Sequence, residues 1–523
     1  MNQPRPASPA PVTHERPASD RRAARIGWGA LALIVLARNL LQLHLLHSGF
    51  SALTADEFAR MALAQRWAMN PQPIWNGVWL PFHQYIFGTL LRLRWDMIMM
   101  PRYVAMAVGS LGLVLIYAIT LRLTRSIGAS LLSALLLGAN PAHTWLSSTP
   151  LTEIFYSFFV LLGLLGALLY VQERRERHLY LAALAFFGAQ GFRFEGWGVS
   201  GIFAALLWFD GLRRAPKSAW RLIPPTIILF AFPAAWMLSS YRAFGHPLAS
   251  LKMTTGYTAL WYGADRDYTR YVTALTEIDP LLLPALAAGA LALALWRTRR
   301  ADYLWLLAMI FGPIAVFAVV QGGQPQPRGN YIRYLSSLFL PCYALIGLLA
   351  HRLARRSRPQ LRYAMLGLIG VIALLNVQTS RSFVNDTAAY GLPVGEKAAE
   401  IHGGDGAPAV VVERIYWEFL AAKVAANGLP SLLYDRQVNW STRASPSLFD
   451  AGNSVDQIRS CLAEHNVGAV FASTPEVVAS VEGRLGLAPE ETINHYRLYM
   501  ITPAQRAEWR LLPACQLSLF PAI

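Results

Sequence analysis

The sequence predicts a polytopic α-helical membrane protein with a small α/β domain at its C-terminal end. Hydrophobic residues make up 54% of the 523 positions and charged residues 15%, with a mean hydropathy of +0.34. This composition is far from that of a soluble globular protein. Near residue 381 the sequence becomes more polar and carries short β-rich runs. We therefore expect a tail at 1–25, a membrane bundle at 26–380 and an α/β domain at 381–523.

The first 25 residues are polar and rich in Pro and Arg, which is typical of a disordered tail. The apolar run that follows is longer than the core of a signal peptide and has no convincing cleavage site after it. We expect this run to anchor the chain in the membrane.

Eleven apolar runs are long enough, or nearly long enough, to cross a bilayer as helices. The two shortest runs flank 192–197, where Arg193 and Glu195 would be costly inside one continuous span, so we expect two helices there. The runs lie at 26–46, 102–121, 127–144, 153–171, 178–191, 196–210, 222–240, 281–296, 303–320, 334–350 and 363–379.

The distribution of positive charge predicts the orientation of these spans. If the N-terminus lies inside, the inner connections hold 22 Lys and Arg in 66 residues, against 11 in 121 residues of the outer connections. The positive-inside rule then predicts a cytoplasmic N-terminus and an extracytoplasmic (periplasmic) C-terminal domain, in a bacterial inner membrane. Because the net charge of +16 is spread over short clusters between spans, we expect no nucleic acid partner.

Two outer connections, 47–100 and 241–280, are long and rich in aromatic residues. This composition predicts helices that lie in the membrane interface rather than flexible linkers.

The C-terminal region alternates short β-rich runs with helical patterns, which favours a mainly parallel sheet. The β-rich runs lie at 409–412, 431–434, 469–472 and 495–501. Ser454 and Gln457 have the spacing of a capping box, and Pro475 follows a predicted N-cap. Three cysteines are too few for a disulfide framework, but Cys461 and Cys515 can pair if this domain is extracytoplasmic.

Two adjacent carboxylates, Asp56 and Glu57, follow the first apolar run. One interpretation is structural, because Thr54 and Glu57 have capping-box spacing and Asp56 would lie in the first helical turn, where the helix dipole favours negative charge. The other interpretation is a catalytic acid pair at the membrane surface. Glu153, in the next outer connection, has the same two alternatives.

Four further residues have both a structural and a functional interpretation. Arg193 and Glu195 can pair with each other, or Arg193 can hold an anionic head group while Glu195 orients a ligand. Arg333 opens the tenth span from outside, where it can snorkel to the interface or bind phosphate. Lys252 is either an interfacial anchor or a substrate ligand.

A divalent metal is an open alternative for the same region. His83 and His143 can join carboxylates such as Asp56 and Glu153 around a metal ion, although no spacing in the sequence is diagnostic.

This layout resembles the C-type glycosyltransferases, which have the GT-C fold. The likeness is to the family 39 type, which includes relatives of protein O-mannosyltransferase and of lipid A aminoarabinose transferase. It rests on the acid pair Asp56-Glu57 in a long first outer connection, an acid in the next one, and the dipeptide Arg333-Tyr334 opening a late span that contains Pro341.

The resemblance implies an inverting transfer of a sugar from a polyprenyl phosphate carrier to an acceptor hydroxyl on the extracytoplasmic face. Asp56 would be the general base, and Arg333, with Tyr334 beside it and Arg193 as a second cation, would bind the leaving phosphate. The other acids, Glu57, Glu153 and Glu195, would orient groups or bind a metal.

The expected partners are the polyprenyl-phosphate-linked sugar, membrane lipids, and an acceptor that is a protein, a lipid or a polysaccharide. Two other classes stay open at this point. One is a transporter or flippase for a lipid-linked or anionic solute, although such proteins often show internal repeats and midplane charges. The other is a scaffold whose outer domain binds a partner.

Overall fold

The computed structural model describes residues 18–262, 269, 273, 301–321, 328–356, 358–404, 406–413, 416–436, 447–515, 517, 520 and 521. The predicted span at 281–296, most of the predicted tail and part of the 241–280 connection lie outside these residues.

Helices dominate the described chain up to residue 381. They are α1 (Ala18–His47), α2 (Asp56–Met69), α3 (Phe82–Leu93), α4 (Met99–Thr124), α5 (Ile127–Ala139), α6 (Pro141–Leu146), α7 (Thr152–Glu173), α8 (Glu176–Gln190), α9 (Glu195–Arg214), α10 (Ile223–Phe244), α11 (Ala249–Tyr262), α12 (Ala301–Gln321), α13 (Arg328–Phe339), α14 (Cys342–Arg356) and α15 (Pro359–Arg381). A 3₁₀ turn, Pro216–Leu222, leads into α10.

Five helical segments of the described chain are long and apolar enough to cross a membrane. They lie in α1, α4, α7, α15 and the segment Pro216–Phe244. A sixth crossing results if α13 and α14, which are bent by 47° at the break between them, form one span. Helices lie at ten of the eleven predicted apolar runs, and the count of eleven spans stays a prediction.

The predicted continuous span at 127–144 is wrong, because the helix breaks after Ala139. Asn140 caps a new short helix, α6, by accepting a hydrogen bond from the His143 N–H at 2.8 Å, and Pro141 occupies its first position. Proline is favoured there because the first N–H of a helix has no intrahelical partner. The break brings Trp145 of α6 against the start of α2.

The connection 47–100 contains the two helices α2 and α3, and their position in a membrane interface stays a prediction. Most of α2 is buried against protein, with Phe58 and Met61 in the main hydrophobic core. The helix α3 packs beside α2, where Gly88 lets the Trp67 ring approach closely.

The C-terminal region forms a six-stranded sheet flanked by helices. Its elements are α16 (Gly391–His402), β1 (Ala409–Val412), α17 (Tyr416–Ala425), β2 (Leu432–Tyr434), α18 (Val455–Glu464), β3 (Val467–Ala472), α19 (Pro475–Ala479), β4 (Pro489–Ile493), β5 (Tyr496–Met500), α20 (Pro503–Trp509) and β6 (Phe520–Pro521), with a π-helical turn at Ser480–Arg484.

The strand order is β4-β5-β3-β1-β2-β6, with β1 parallel to both β2 and β3. The outer strands β4, β5 and β6 pair antiparallel, so the sheet is more mixed than the mainly parallel one expected. The capping box of Ser454 and Gln457 is present. Thr474 does not cap α19 with its side chain, because its hydroxyl donates to Glu413 instead. Cys461 and Cys515 form a disulfide.

This region packs directly on the helices that precede α4. Leu420 and Val424 of α17 belong to the same hydrophobic core as Phe58 of α2. The Gln65 side chain donates to the Gly428 carbonyl at 2.5 Å. The helix α2 therefore lies between the helical bundle and the C-terminal region.

Candidate active site

Five of the residues singled out in the sequence form one continuous chain of ion pairs. The Arg333 Nη2 lies 2.8 Å from Asp56 Oδ2, and its Nε lies 2.9 Å from Glu153 Oε1. Arg193 pairs with the same Glu153 oxygen, and its Nη2 lies 2.7 Å from Glu195 Oε1. The fold thus joins residues from α2, α7, α9, α13 and the turn between α8 and α9 in one polar cluster, which we call the ion-pair cluster.

Each carboxylate of the cluster lies at the start of a helix. Asp56 begins α2, Glu153 is in the first turn of α7, and Glu195 begins α9. The positive end of the helix dipole stabilises negative charge at these positions. The cluster is therefore located where three helix N-termini meet.

Close packing fixes the position of the turn between α8 and α9, which carries Arg193. A Cβ on Gly191 would lie 2.2 Å from the Phe82 ring, and one on Gly196 would lie 2.9 Å from the Ala189 carbonyl carbon. Both distances are far below van der Waals contact. Glycine at these two positions lets the turn between α8 and α9 approach α3 and the end of α8.

Tyr334 orients both arginines of the cluster. Its hydroxyl accepts a hydrogen bond from Arg333 Nη2 at 3.0 Å. The guanidinium carbon of Arg193 lies 4.4 Å from the centre of its ring, and that of Arg333 lies 4.9 Å from it. Such cation–π contacts favour a cation over the ring face.

Burial distinguishes the members of the cluster. The side chains of Arg333 and Glu153 are 1% and 0% exposed, whereas that of Asp56 is 26% exposed. Asp56 is therefore more accessible to a ligand than Glu153 or Glu195, whose side chain is 13% exposed.

Glu57 does not form the capping box that its spacing from Thr54 predicts. The N-cap of α2 is Ala55, which has helical backbone angles, and no side chain caps this helix. The Glu57 carboxylate instead accepts hydrogen bonds from the Thr54 hydroxyl, from Leu53 N at 3.2 Å and from Trp145 Nε1 at 2.9 Å. Burial raises the pKa of Glu57 to about 7, although these hydrogen bonds oppose the rise. Glu57 anchors the loop that carries Asp56.

Arg60 is a candidate site residue that the sequence analysis missed. It lies one helical turn after Asp56, is 8% exposed and stacks over Trp79 at 5.2 Å. Within the described part of the chain its guanidinium has no hydrogen bond and no carboxylate within ion-pair distance. Burial lowers the pKa of Arg60, and the nearby carboxylates of Glu153 and Asp56 oppose this shift. The signal in the sequence was its i, i+4 spacing from Asp56.

Lys252 is not brought to the cluster. It is exposed on α11, and no ion pair among the described residues links it to Asp56, Glu153 or Glu195.

The residues proposed for a metal do not assemble. His83 is buried with its Nε2 2.6 Å from the Pro150 carbonyl oxygen, and burial lowers its pKa to about 3. The carboxylates of Asp56 and Glu153 face Arg333, and His143 lies apart on α6. Among the residues that the structure describes, no group of three or more His, Cys, Asp or Glu side chains is arranged to hold a metal ion.

Comparison with solved structures identifies the architecture. ArnT from Cupriavidus metallidurans bound to undecaprenyl phosphate matches with a TM-score of 0.60 at 12% identity, covering 91% of this chain and 99% of that chain. The apo oligosaccharyltransferase of Archaeoglobus fulgidus matches with a TM-score of 0.52 at 14% identity, covering 87% of this chain and 71% of that one. The chain has the GT-C fold.

The archaeal GT-C protein is also matched in its complex with an inhibitory peptide and a dolichol-phosphate, with a TM-score of 0.51. The likeness to the Pmt1-Pmt2 complex of S. cerevisiae covers 42% of this chain at a TM-score of 0.32, which is too low to support a shared fold. No family model and no curated protein sequence matches the chain.

Proposed function

We propose that this GT-C chain is a membrane glycosyltransferase that moves a sugar from a polyprenyl phosphate carrier to an acceptor hydroxyl on the extracytoplasmic face, with inversion. The acceptor is a protein, a lipid or a polysaccharide. The observation that carries the proposal is the pairing of a partly exposed carboxylate, Asp56, with the buried Arg333, next to the guanidinium of Arg60, which has no carboxylate partner among the described residues. This combination offers a base and cations for a leaving phosphate at one place.

Arg60, Arg333 and Arg193 suit the phosphate of the donor. A polyprenyl phosphate sugar is a phosphodiester with one negative charge, and the released polyprenyl phosphate carries a second. Guanidinium groups fixed before the reaction stabilise the charge that develops on the leaving oxygen. No carboxylate in the described part of the chain has to leave Arg60 before it binds this phosphate, whereas Arg333 would have to loosen its contact with Asp56.

Asp56 suits the role of base. Its carboxylate accepts the proton of the acceptor hydroxyl while that oxygen attacks the anomeric carbon from the face opposite the phosphate. The new glycosidic bond forms as the bond from the anomeric carbon to the phosphate oxygen breaks, and the electron pair leaves with the polyprenyl phosphate. A single displacement of this kind inverts the anomeric configuration.

The comparisons support a lipid phosphate as the carrier, since the matched ArnT holds undecaprenyl phosphate and the matched archaeal protein holds a dolichol-phosphate. No observation favours the transporter or flippase alternative. The proposed metal at Asp56, Glu153 and His83 has no assembled ligand set in the described residues.

Binding and turnover test this function separately in the full-length protein in nanodiscs. We expect undecaprenyl phosphate to bind, and a radiolabelled undecaprenyl phosphate sugar to release its lipid phosphate when a cell-envelope fraction supplies acceptors. Binding that is unchanged in Arg60→Ala and in Arg333→Lys would contradict the assignment of the site. Failure of the parent to release lipid phosphate from any of a panel of labelled sugars would contradict the function.

A further inference from the structure

The segment that leads into Asp56 has no regular secondary structure, so its backbone groups need other partners. Asn385, in the link between α15 and α16, supplies three of them. Its Oδ1 accepts hydrogen bonds from Ser51 N at 2.8 Å and Ala52 N at 3.4 Å. Its Nδ2 donates to the Gly49 carbonyl oxygen at 2.8 Å. One side-chain amide therefore holds three backbone groups of the segment 49–52.

Neighbouring residues complete the set of contacts. The Asp386 N–H donates to the Ala52 carbonyl at 2.9 Å. Arg102 of α4 donates to the carbonyls of Phe50 at 3.1 Å and Ser51 at 3.0 Å. Hydrogen bonds from the membrane helix α4 and from the link to the C-terminal sheet thus both hold this segment.

The same C-terminal region also forms hydrogen bonds with the far end of the 47–100 connection. Asn427 Oδ1 accepts a hydrogen bond from Met97 N at 3.1 Å, and its backbone carbonyl accepts one from Trp95 Nε1 at 2.8 Å. Asn427 has a left-handed backbone conformation with φ of 50°, which asparagine tolerates better than most residues. The two asparagines therefore fix both ends of the connection that contains α2.

We propose that Asn385 is a positioning residue through which the C-terminal region fixes the carboxylate of Asp56; this inference rests on the function proposed above. Only Leu53, Thr54 and Ala55 separate Asp56 from the segment 49–52 that Asn385 holds. A general base is effective only within hydrogen-bond reach of the proton that it removes, and a displacement of about 1 Å is costly. The C-terminal region thereby forms part of the catalytic apparatus, although Asn385 does not contact the reacting groups.

The first test needs no catalytic assay. Amide hydrogen exchange is measured in the full-length protein in detergent, over peptides that cover residues 49–57. In Asn385→Ala we expect exchange to be faster by about tenfold or more, since the N–H groups of Ser51 and Ala52 lose their acceptor. Asn385→Asp keeps the acceptor for Ser51 and Ala52 but loses the donor to Gly49, so we expect an intermediate rate.

Asn453→Ala is the matched control, because the Asn453 amide also donates to backbone carbonyls, those of Ser447 and Leu448, but within its own region. It should leave exchange at 49–57 unchanged. Unchanged exchange at 49–57 in both Asn385 variants would contradict the proposal that Asn385 holds the segment 49–52.

The second test measures whether substitution of Asn385 changes kcat or KM for the labelled donor. We expect Asn385→Ala to lower kcat about tenfold or more with KM within about twofold, Asn385→Asp to lie between, and Asn453→Ala to match the parent. Faster exchange with an unchanged kcat would overturn the positioning role. A parent without transfer activity would instead contradict the proposed function, while the exchange experiment would still decide whether Asn385 holds the segment.

Discussion

Arg333 and Asp56 form an ion pair across 2.8 Å in which the arginine is 1% exposed and the aspartate 26% exposed. The pair lies at the edge of a buried network, with Glu153 on the inner side of the arginine. A ligand phosphate that reaches Asp56 therefore lies next to Arg333, whose guanidinium can bind it once the contact with Asp56 loosens. This relationship is the basis of the proposed mechanism.

Replacing Arg333 should affect folding as well as binding. Arg333→Met leaves Glu153 with a reduced counter-charge in a buried site, and breaking a buried pair in this way costs about 3–5 kcal/mol. Adding Glu153→Gln removes the stranded charge, so the double variant should regain part of the lost melting temperature. Neither variant should regain undecaprenyl phosphate binding. An Arg333→Met protein as stable as the parent would show that the ion pairs contribute nothing to folding.

Arg60 should affect binding with little effect on folding. Because its guanidinium lacks a carboxylate partner among the described residues, Arg60→Ala strands no opposite charge and should change the melting temperature little. Undecaprenyl phosphate affinity should fall about tenfold or more, and Arg60→Lys should restore part of it, since an ammonium keeps the charge but not the planar fork. Arg66→Ala, on the same helix but exposed, is the control and should bind like the parent.

Glu57 should make the stability of the protein pH-dependent. Its pKa in the folded chain is raised from 4.5 to about 7, so folding favours the protonated form. This contribution is fully present below about pH 4.5 and is lost as the pH rises through about 7. The melting temperature of the parent should therefore fall more between about pH 5 and pH 8 than that of Glu57→Gln. Parallel pH profiles of the two proteins would refute this effect.

Much of the site could be predicted from sequence because charge is rare in membrane segments. Asp56, Glu153, Arg193 and Arg333 stood out as ionisable groups next to apolar runs, where burial is costly without a partner or a function. Lys252 met the same criterion but lies exposed on α11, because composition cannot tell which charges the fold brings together.

Other features depended on local or tertiary geometry. The break after Ala139 had a signal in Asn140-Pro141, an N-cap followed by proline, which hydrophobicity alone conceals. The capping interpretation of Glu57 failed because its carboxylate turns to Leu53 and Trp145. Asn385 had no local signal at all, since its three partners lie more than 330 residues away in the chain.

The membrane orientation stays a prediction with a direct test. A reporter enzyme that is active only outside the cytoplasm should be active when fused after Thr379 and inactive when fused after Arg214. The Cys461–Cys515 disulfide agrees with this orientation, because disulfides persist in oxidising compartments. Activity of the Arg214 fusion, or inactivity of the Thr379 fusion, would discard the predicted orientation.

Single-turnover transfer by Asp56→Asn in the full-length protein tests the role of Asp56 as the base most directly. Asparagine keeps the shape of the side chain but removes the base, so the rate of release of undecaprenyl phosphate from the labelled donor should fall about 100-fold or more. The melting temperature should change little, and undecaprenyl phosphate should bind as tightly or more tightly, since Arg333 loses a competing carboxylate. An Asp56→Asn protein that releases the lipid phosphate at the parent rate would contradict the assignment of Asp56 as the base.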